Sequence, residues 1–234
     1  MDGFGDPGQA MFSQLMNLGF MRPQSGQFSH TLEELKSGDD ARVLQAIQGL
    51  SSELSMAQEN ILASFPLDSF VPVLIDCMQR EAIPDIMFHA IMCITHLIDV
   101  IPAVTTQIVE AGAVDILAQR VQNFEYIDVA ESAIKALEKI STEDPHSVLT
   151  SDCMSLIVNI MDFFENSTQR LVLNIAVNLS KNFGSSSAFD SHVSPLLPPL
   201  ANMIRSGPGD QHNIKLAIQF FSGLVQSIQK TGGD

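Results

Sequence analysis

The sequence predicts an all-α fold in which helical units stack into an elongated solenoid. Between residues 107 and 141, apolar side chains recur at three- and four-residue steps, which is typical of amphipathic helices. Similar segments return at intervals of 39 to 45 residues. One such unit cannot bury its own apolar face, so the repetition implies stacked copies.

Matching apolar positions define the repeat. They are Val73, Ile116, Leu156 and Leu196 in the second helix of each unit, and Leu97, Ile140, Leu179 and Leu224 in the third helix. A period near 40 residues with three helices per unit is typical of armadillo repeats, which form a right-handed solenoid. We expect a repeat domain over residues 39–230, with units at about 41–67 (partial), 68–112, 113–152, 153–192 and 193–229.

The N-terminal segment differs in composition from the repeats. Residues 1–38 are rich in Gly, Gln and Ser, which predicts a flexible tail. Within it, residues 11–21 leave open a short helix or a docking segment. The start of the chain has no basic stretch followed by an apolar run, so it does not predict a secretory signal.

Capping residues place the first helices of the repeat domain. Ser37 or Asp39 is expected to cap a helix over 41–54, and residues 55–65 form its expected partner helix. Near the other end of the chain, Gly and Pro residues in 206–209 predict a loop.

Further caps and breakers place the central helices. Ser69 is expected to cap a helix that carries Pro72 in its first turn, where the missing N–H is harmless. Asp85 and Asp128 are expected to begin two long third helices, because acidic side chains are favoured near a helix N-terminus. Gly112 fits the end of a short helix, since glycine tolerates the left-handed conformation found there.

Charge and cysteine content limit the classes of partner. The net charge of −15 argues against nucleic acid and against an anionic membrane, and it permits a basic protein partner. Three cysteines without a disulfide framework indicate a reducing compartment, so we expect the nucleus and/or the cytoplasm.

No residue pattern predicts catalysis, a cofactor or a metal. His89, Cys93 and His96 share one helix, but the repeat register places Cys93 in the core and both histidines on the open face. Cys77 and Cys153 lie in apolar helix stretches and are expected to be core thiols. The chain also lacks the common nucleotide-binding, hydrolase and zinc-protease motifs.

The candidate binding site is a groove lined by the third helices of the stacked units. The register places an exposed polar stripe along it. The stripe comprises Asp85, His89, Met92 and His96 in one unit, Asp128, Ser132, Lys135 and Lys139 in the next, Asn174 and Asn178 in the third, and His212 and Gln219 in the fourth. The alternative is a solvated face with no partner.

The same register argues against a nuclear-import receptor. Those receptors resemble one another in carrying groove asparagines backed by tryptophans, which hold basic peptides. Here the corresponding positions are His96, Lys139, Asn178 and Gly223, and the chain has no tryptophan. Lys139 is also expected to repel a basic peptide.

Beyond the repeats, several segments resemble one family, the large HECT-type ubiquitin ligases of the ubiquitin-fusion-degradation class. The similarity covers roughly residues 40–229 and is carried by four segments. They are ASFPLDSFVPVLIDCM (63–78), PDIMFHAIMCITHLIDVIP (84–102), YIDVAESAIKALEKIS (126–141) and MDFFENSTQRLVLNIAVN (161–178).

The resemblance implies a role in substrate and ubiquitin recognition. In the family a separate HECT domain carries the catalytic cysteine, and its Thr-Cys motif has no match in this chain. The expected partners are therefore a protein substrate and/or ubiquitin, together with the rest of a larger ligase chain. The alternative is a stand-alone acidic armadillo adaptor outside the ubiquitin pathway.

Overall fold

Helices make up nearly all of the described chain. The computed structural model describes residues 24–57, 65–151, 153–182, 189–205 and 210–231. The α-helices in these ranges are α1 (Gln24–Leu35), α2 (Asp40–Met56), α3 (Leu67–Cys77), α4 (Pro84–Val100), α5 (Thr105–Glu110), α6 (Ala113–Val121), α7 (Ile127–Glu143), α8 (Pro145–Thr150), α9 (Cys153–Ile160), α10 (Asn166–Ser180), α11 (Leu197–Arg205) and α12 (Gln211–Thr231). Short 3-10 turns at Pro102–Val104, Met161–Phe163 and Ser194–Leu196, and a π turn at Phe189–Val193, connect some of them.

Two layers of helices build the molecule. The long helices α2, α4, α7, α10 and α12 pack side by side in chain order, and the shorter helices cover one side of this row. The layers meet in a continuous core in which Leu74, Ile91 and Leu137 are fully buried. Since each such side chain contributes about 1.5–3 kcal/mol on burial, the contact between the two layers accounts for much of the stability.

Side-chain hydrogen bonds between neighbouring units show the repeat period directly. Asp68 accepts a hydrogen bond from Gln107, and Glu131 accepts one from Thr168, so the paired residues are 39 and 37 positions apart. This spacing agrees with the predicted period near 40 and exceeds the roughly 34 residues of a two-helix tetratricopeptide unit. The all-α solenoid of armadillo type is confirmed.

The predicted flexible tail is wrong for its last third. Residues 24–35 form α1, in which Phe28 and Leu35 are buried. The Phe28 ring lies 5.0 Å from the Phe65 ring and 6.1 Å from the Phe70 ring, measured between centroids. Burial of these few apolar side chains outweighs the polar composition that suggested a tail. The segment 11–21 lies outside the described residues.

Local signals placed most helix ends correctly. Asp39 caps α2, because its Oδ1 accepts a hydrogen bond from the backbone N–H of Ala41 at 2.9 Å. Gly112 has φ of 85°, in the left-handed region, between α5 and α6. Of the predicted partner helix over 55–65, residues 58–64 lie outside the described part of the chain, as does the predicted loop at 206–209.

The predicted start of α3 is wrong. The helix begins at Leu67 instead of after Ser69, and its N-cap position, Pro66, has no side-chain cap. The earlier start follows from packing, since Phe70 is fully buried with its ring centroid 4.7 Å from that of Phe65. Pro72 therefore lies inside the helix and not in its first turn. Proline has no N–H, so it cannot donate a hydrogen bond to the carbonyl four residues earlier in the helix. The exposed position of Pro72 leaves water access to that carbonyl.

The described helices include none that combines the length and the apolar character needed to cross a membrane.

Candidate protein-binding face

The candidate site lies on the open side of the long helices, here called the long-helix face and represented by α4, α7, α10 and α12. Most residues of the predicted stripe are accessible there. Asp85, Asp128, His212 and Gln219 are exposed, whereas His89, Met92, His96, Lys135, Lys139, Asn174 and Asn178 are half-buried.

Ser132 is the exception among these predicted residues. It is only 8% exposed, so its prediction as a groove residue is wrong. Its small side chain lies in the packed flank of α7, as does that of Ala136, which is fully buried. A small polar residue fits such a position as well as it fits a surface.

An ion pair joins the first two helices of the face. Lys139 on α7 lies 2.8 Å from Asp99 on α4, measured from Nζ to Oδ1. The hydrogen bond that Lys139 donates to Asp99 within this ion pair raises the pKa of Lys139. Since Asp99 balances the charge of Lys139, the predicted repulsion of a basic peptide by this lysine is weaker than the sequence suggests.

Hydrogen bonds extend the same network to α10. The Asn178 side-chain amide donates to Ser141 Oγ at 3.0 Å and to Thr142 Oγ1 at 3.2 Å, both on α7. Burial raises the pKa of Glu138, while a hydrogen bond from Asn174 acts in the opposite direction. Polar groups from α4, α7 and α10 therefore form one connected surface, here called the polar ladder: His96, Asp99, Lys135, Glu138, Lys139, Asn174 and Asn178.

His96 contributes an imidazole to the polar ladder. Burial lowers the pKa of its imidazole, the nearby Lys135 lowers it further, and Asp99 acts in the opposite direction. The ring is therefore uncharged at neutral pH and offers one donor and one acceptor.

A cavity of about 550 Å³ opens between α4 and α7, at the N-terminal ends of both helices. Its lining combines three carboxylates with aromatic and aliphatic surface. The lining residues are Gln48, Pro84, Asp85, Phe88, His89, Glu125, Tyr126, Ile127, Asp128 and Val129. We call this the acidic cavity. It brings the predicted residues Asp85, His89 and Asp128 together from two units.

His89 is held at the wall of this cavity. Its ring meets the Phe88 ring edge-on, with centroids 5.2 Å apart. Its Nδ1 atom is buried without a hydrogen-bond partner within the protein. Burial lowers the pKa of His89, and the neighbouring Asp85 partly counters this shift.

On α12 the stripe residues His212 and Gln219 are exposed, but the register position that corresponds to Asn178 is closed. Gly223, which the register aligns with the ladder position of Asn178, is buried, and a Cβ added there would lie 3.2 Å from Ser180 Cβ. It belongs to the packing between α10 and α12, so its assignment to the open face is wrong. His212 and Gln219 lie on α12 apart from the ladder and the acidic cavity.

The cysteines are core residues, as predicted. Cys77, Cys93 and Cys153 are each at most 2% exposed. Burial raises the pKa of Cys77 to about 11 and also raises that of Cys93, so neither thiol is an activated nucleophile. Within the described residues, no three His, Cys, Asp or Glu side chains are grouped to hold a metal ion.

The predicted stripe lacks two members of the polar ladder, Asp99 and Glu138. It also lacks Ser141 and Thr142, which accept the hydrogen bonds from Asn178. A usable signal existed for Asp99, which lies three residues after His96 and therefore on the same side of the helix. The partners of Asn178 are set by how α7 and α10 pack, which no local pattern reveals.

One protein family matches the greater part of the chain. The family described as "E3 ubiquitin-protein ligase TRIP12-like, TPR repeats" matches residues 14–150. The E3 ubiquitin-protein ligase UPL3 of Arabidopsis thaliana is 35% identical over 182 residues, which are 77% of this chain and 10% of that protein. The E3 ubiquitin-protein ligase TRIP12 of Danio rerio is 30% identical over 228 residues, covering 97% of this chain and 11% of that protein. The chain thus spans about a tenth of these relatives' length.

Solved structures with the same fold include designed armadillo repeat proteins. One, in complex with the peptide (KR)4, superposes with a TM-score of 0.72 at 14% identity, over 91% of this chain and 84% of that one. A computationally designed armadillo protein for modular peptide recognition gives a TM-score of 0.71 at 17% identity, over 87% of each chain. At these identities the likeness establishes the fold alone.

Proposed function

Because this chain belongs to the TRIP12-like family of E3 ubiquitin-protein ligases, we propose that it is a non-catalytic recognition scaffold of a HECT-type ligase. Its long-helix face binds a protein substrate or ubiquitin for ubiquitination and degradation. The rest of a larger ligase chain supplies the catalytic cysteine. The nucleus and/or the cytoplasm is the compartment in which this takes place.

The observation that carries the proposal is that the acidic cavity and the polar ladder both lie on the long-helix face. Three neighbouring units contribute side chains to it, so an extended segment lying across the long helices meets one polar group after another. The ladder offers amides, a neutral imidazole and carboxylates as hydrogen-bonding groups for a peptide backbone.

The acidic cavity suits a basic side chain. Asp85, Glu125 and Asp128 supply negative charge, and the Phe88 and Tyr126 rings supply surface for an aliphatic stem or a cation. The designed armadillo protein of the same fold is bound to an alternating Lys-Arg peptide, so that protein accommodates a basic segment. The net charge of −15 favours the same class of partner.

Binding of this kind assists catalysis by positioning the acceptor protein. A scaffold that holds an acceptor protein beside a catalytic domain raises the effective concentration of the acceptor lysine. No chemistry is required of the scaffold itself, which agrees with its buried thiols.

A pull-down with ubiquitin and with ubiquitin chains tests the proposal. The wild-type chain is compared with Lys135→Glu/Lys139→Glu/Asn178→Ala, which alters the ladder, and with Asp85→Lys/Asp128→Lys, which alters the cavity. Lys36→Glu/Lys230→Glu is the matched control, because both lysines are exposed at the two ends of the described helices. Thermal melts establish that every variant folds.

We expect the wild type and the control to retain ubiquitin chains, and the ladder variant to lose them. Retention by the folded ladder and cavity variants alike would show that the long-helix face is not the binding surface. Absence of ubiquitin binding by the wild type would remove ubiquitin as the ligand and favour an adaptor outside the ubiquitin pathway.

A further inference from the structure

An apolar stripe runs along the accessible side of α12, the last long helix described. Ile218 is 53% exposed and Val225 is 55% exposed, and Phe221 between them is half-buried. The three residues are spaced by three and four positions, so they lie on one side of the helix. Burial of such side chains contributes about 1.5–3 kcal/mol each, which makes the exposure costly.

The repeat register shows what this side of a long helix does elsewhere. With Leu97, Ile140, Leu179 and Leu224 aligned, Ile218 corresponds to three residues that are all fully buried. These are Ile91, Ile134 and Leu173. Phe221 corresponds in the same way to Ile94, Leu137 and Ala176, which are also fully buried.

The counterparts of Val225 in the earlier units show why this side of the long helices is buried there. Of these, Ser141 and Ser180 are fully buried, and each is contacted by the next long helix. Ser141 Oγ accepts a hydrogen bond from Asn178 on α10, and the backbone carbonyl of Ser180 accepts one at 2.9 Å from Ser227 on α12. In α7 and α10, this side is therefore the surface on which the following unit stacks, and the α4 counterpart Ile98 is also buried.

We propose that the stripe formed by Ile218, Phe221 and Val225 is a stacking face for a further armadillo-type unit. The long helix of that unit packs on α12 as α12 packs on α10. Its contacting side is apolar and carries small residues, since the contact between α10 and α12 needs a glycine at 223. This stacking repeats the interface that is already present between successive long helices, and it does not depend on ubiquitin binding.

A fusion protein tests this inference. A designed consensus armadillo repeat with its C-terminal capping helix is joined after Asp234 of the whole chain. Amide hydrogen exchange in α12 is compared with and without the added unit. The same fusion is made with Ile218→Gln/Val225→Gln. A second fusion carries Met56→Gln/Leu156→Gln as the control, since these residues are also exposed and apolar but lie outside the stripe.

The added unit is expected to slow exchange in α12 by about tenfold in the wild type and in the control, and to have no effect with the two glutamines in the stripe. Unchanged exchange in the wild-type fusion, or equal slowing in the glutamine variant, would overturn the proposal. Sedimentation of the unfused chain provides a separate check. A dimer that the stripe variant abolishes would assign the face to a second copy of this chain and would also overturn it.

Discussion

At the scale of single residues, Lys139 and Asp99 link α4 to α7 through a partly exposed ion pair. Because both side chains keep about a third of their surface in contact with water, Lys139→Met is expected to cost only about 0.5 kcal/mol of unfolding free energy. Urea denaturation of Lys139→Met, Asp99→Asn and the double variant measures the coupling between the two residues. A coupling above about 2 kcal/mol would contradict the description of a screened surface pair.

His89 and His96 make stability depend on pH. Burial lowers the pKa of both imidazoles in the folded protein, so the unfolded chain binds protons more tightly at these positions. Stability is therefore expected to fall as the pH decreases through the unfolded value near 6.5 towards the lower folded values. Urea denaturation at pH values from about 7.5 down to 5.5 is expected to show a smaller loss for His89→Gln/His96→Gln than for the wild type.

The control for this prediction is His146→Gln, which removes an exposed histidine on the short helix α8. This variant shows how much of the pH dependence changes when an exposed histidine is removed. If the double variant and the wild type lose the same stability over this range, then burial of His89 and His96 does not perturb their titration.

Individual site residues differ in how far the sequence predicts them. Exposure of Asp85 and Asp128 follows from the helix starts, which are local signals, and from the repeat register, which the sequence reveals through its period. The prediction that Ser132 is exposed is wrong because a serine suits both a solvated position and close helix packing, so the residue type carries little information about exposure. The hydrogen bond of Asn178 to Ser141 depends on how two units are set against each other, and a register alone does not fix that distance.

At the scale of elements, the close approach of α10 and α12 depends on Gly223. A Cβ at this position would displace the Ser180 hydroxyl, which donates to the carbonyl of Val177, and would press on Ser180 Cβ at 3.2 Å. Gly223→Ala is therefore expected to destabilise the protein by about 1–3 kcal/mol despite the better helix propensity of alanine. Chemical denaturation measures this, and Ser180→Gly in the same chain is expected to restore part of the loss.

Gly49→Ala is the matched control for this prediction. Gly49 lies inside α2, and a Cβ added there meets nothing within 4 Å. Alanine at this position is expected to stabilise the protein by up to about 1 kcal/mol, because only helix propensity changes. If both alanine substitutions stabilise the protein, then the contact between α10 and α12 is looser than described.

Helix boundaries were predictable where a local device sets them. The carboxylate of Asp39 and the left-handed backbone at Gly112 act within a few residues, so the sequence reveals both. The start of α3 and the existence of α1 depend instead on the cluster of Phe28, Phe65 and Phe70, in which Phe28 lies 37 residues before Phe65 in the sequence. Tertiary packing of this kind overrides local propensity.

At the scale of the whole molecule, the repeat period determines the architecture. The offsets near 40 residues in the sequence reappear as hydrogen bonds between neighbouring units, which is why a solenoid can be predicted from periodicity. The acidic cavity could not be predicted in the same way. It lies between two units, and its volume depends on the angle at which α4 and α7 pack.

Hydrogen exchange of the chain with and without ubiquitin chains is the measurement that best tests the long-helix face as a protein-recognition surface. We expect slower exchange on binding in α4, α7 and α10 and in the turn around Tyr126, where the polar ladder and the acidic cavity lie. Unchanged exchange in these segments although ubiquitin chains bind, or slowing confined to the outer helices α3, α6 and α9, would contradict recognition through this face.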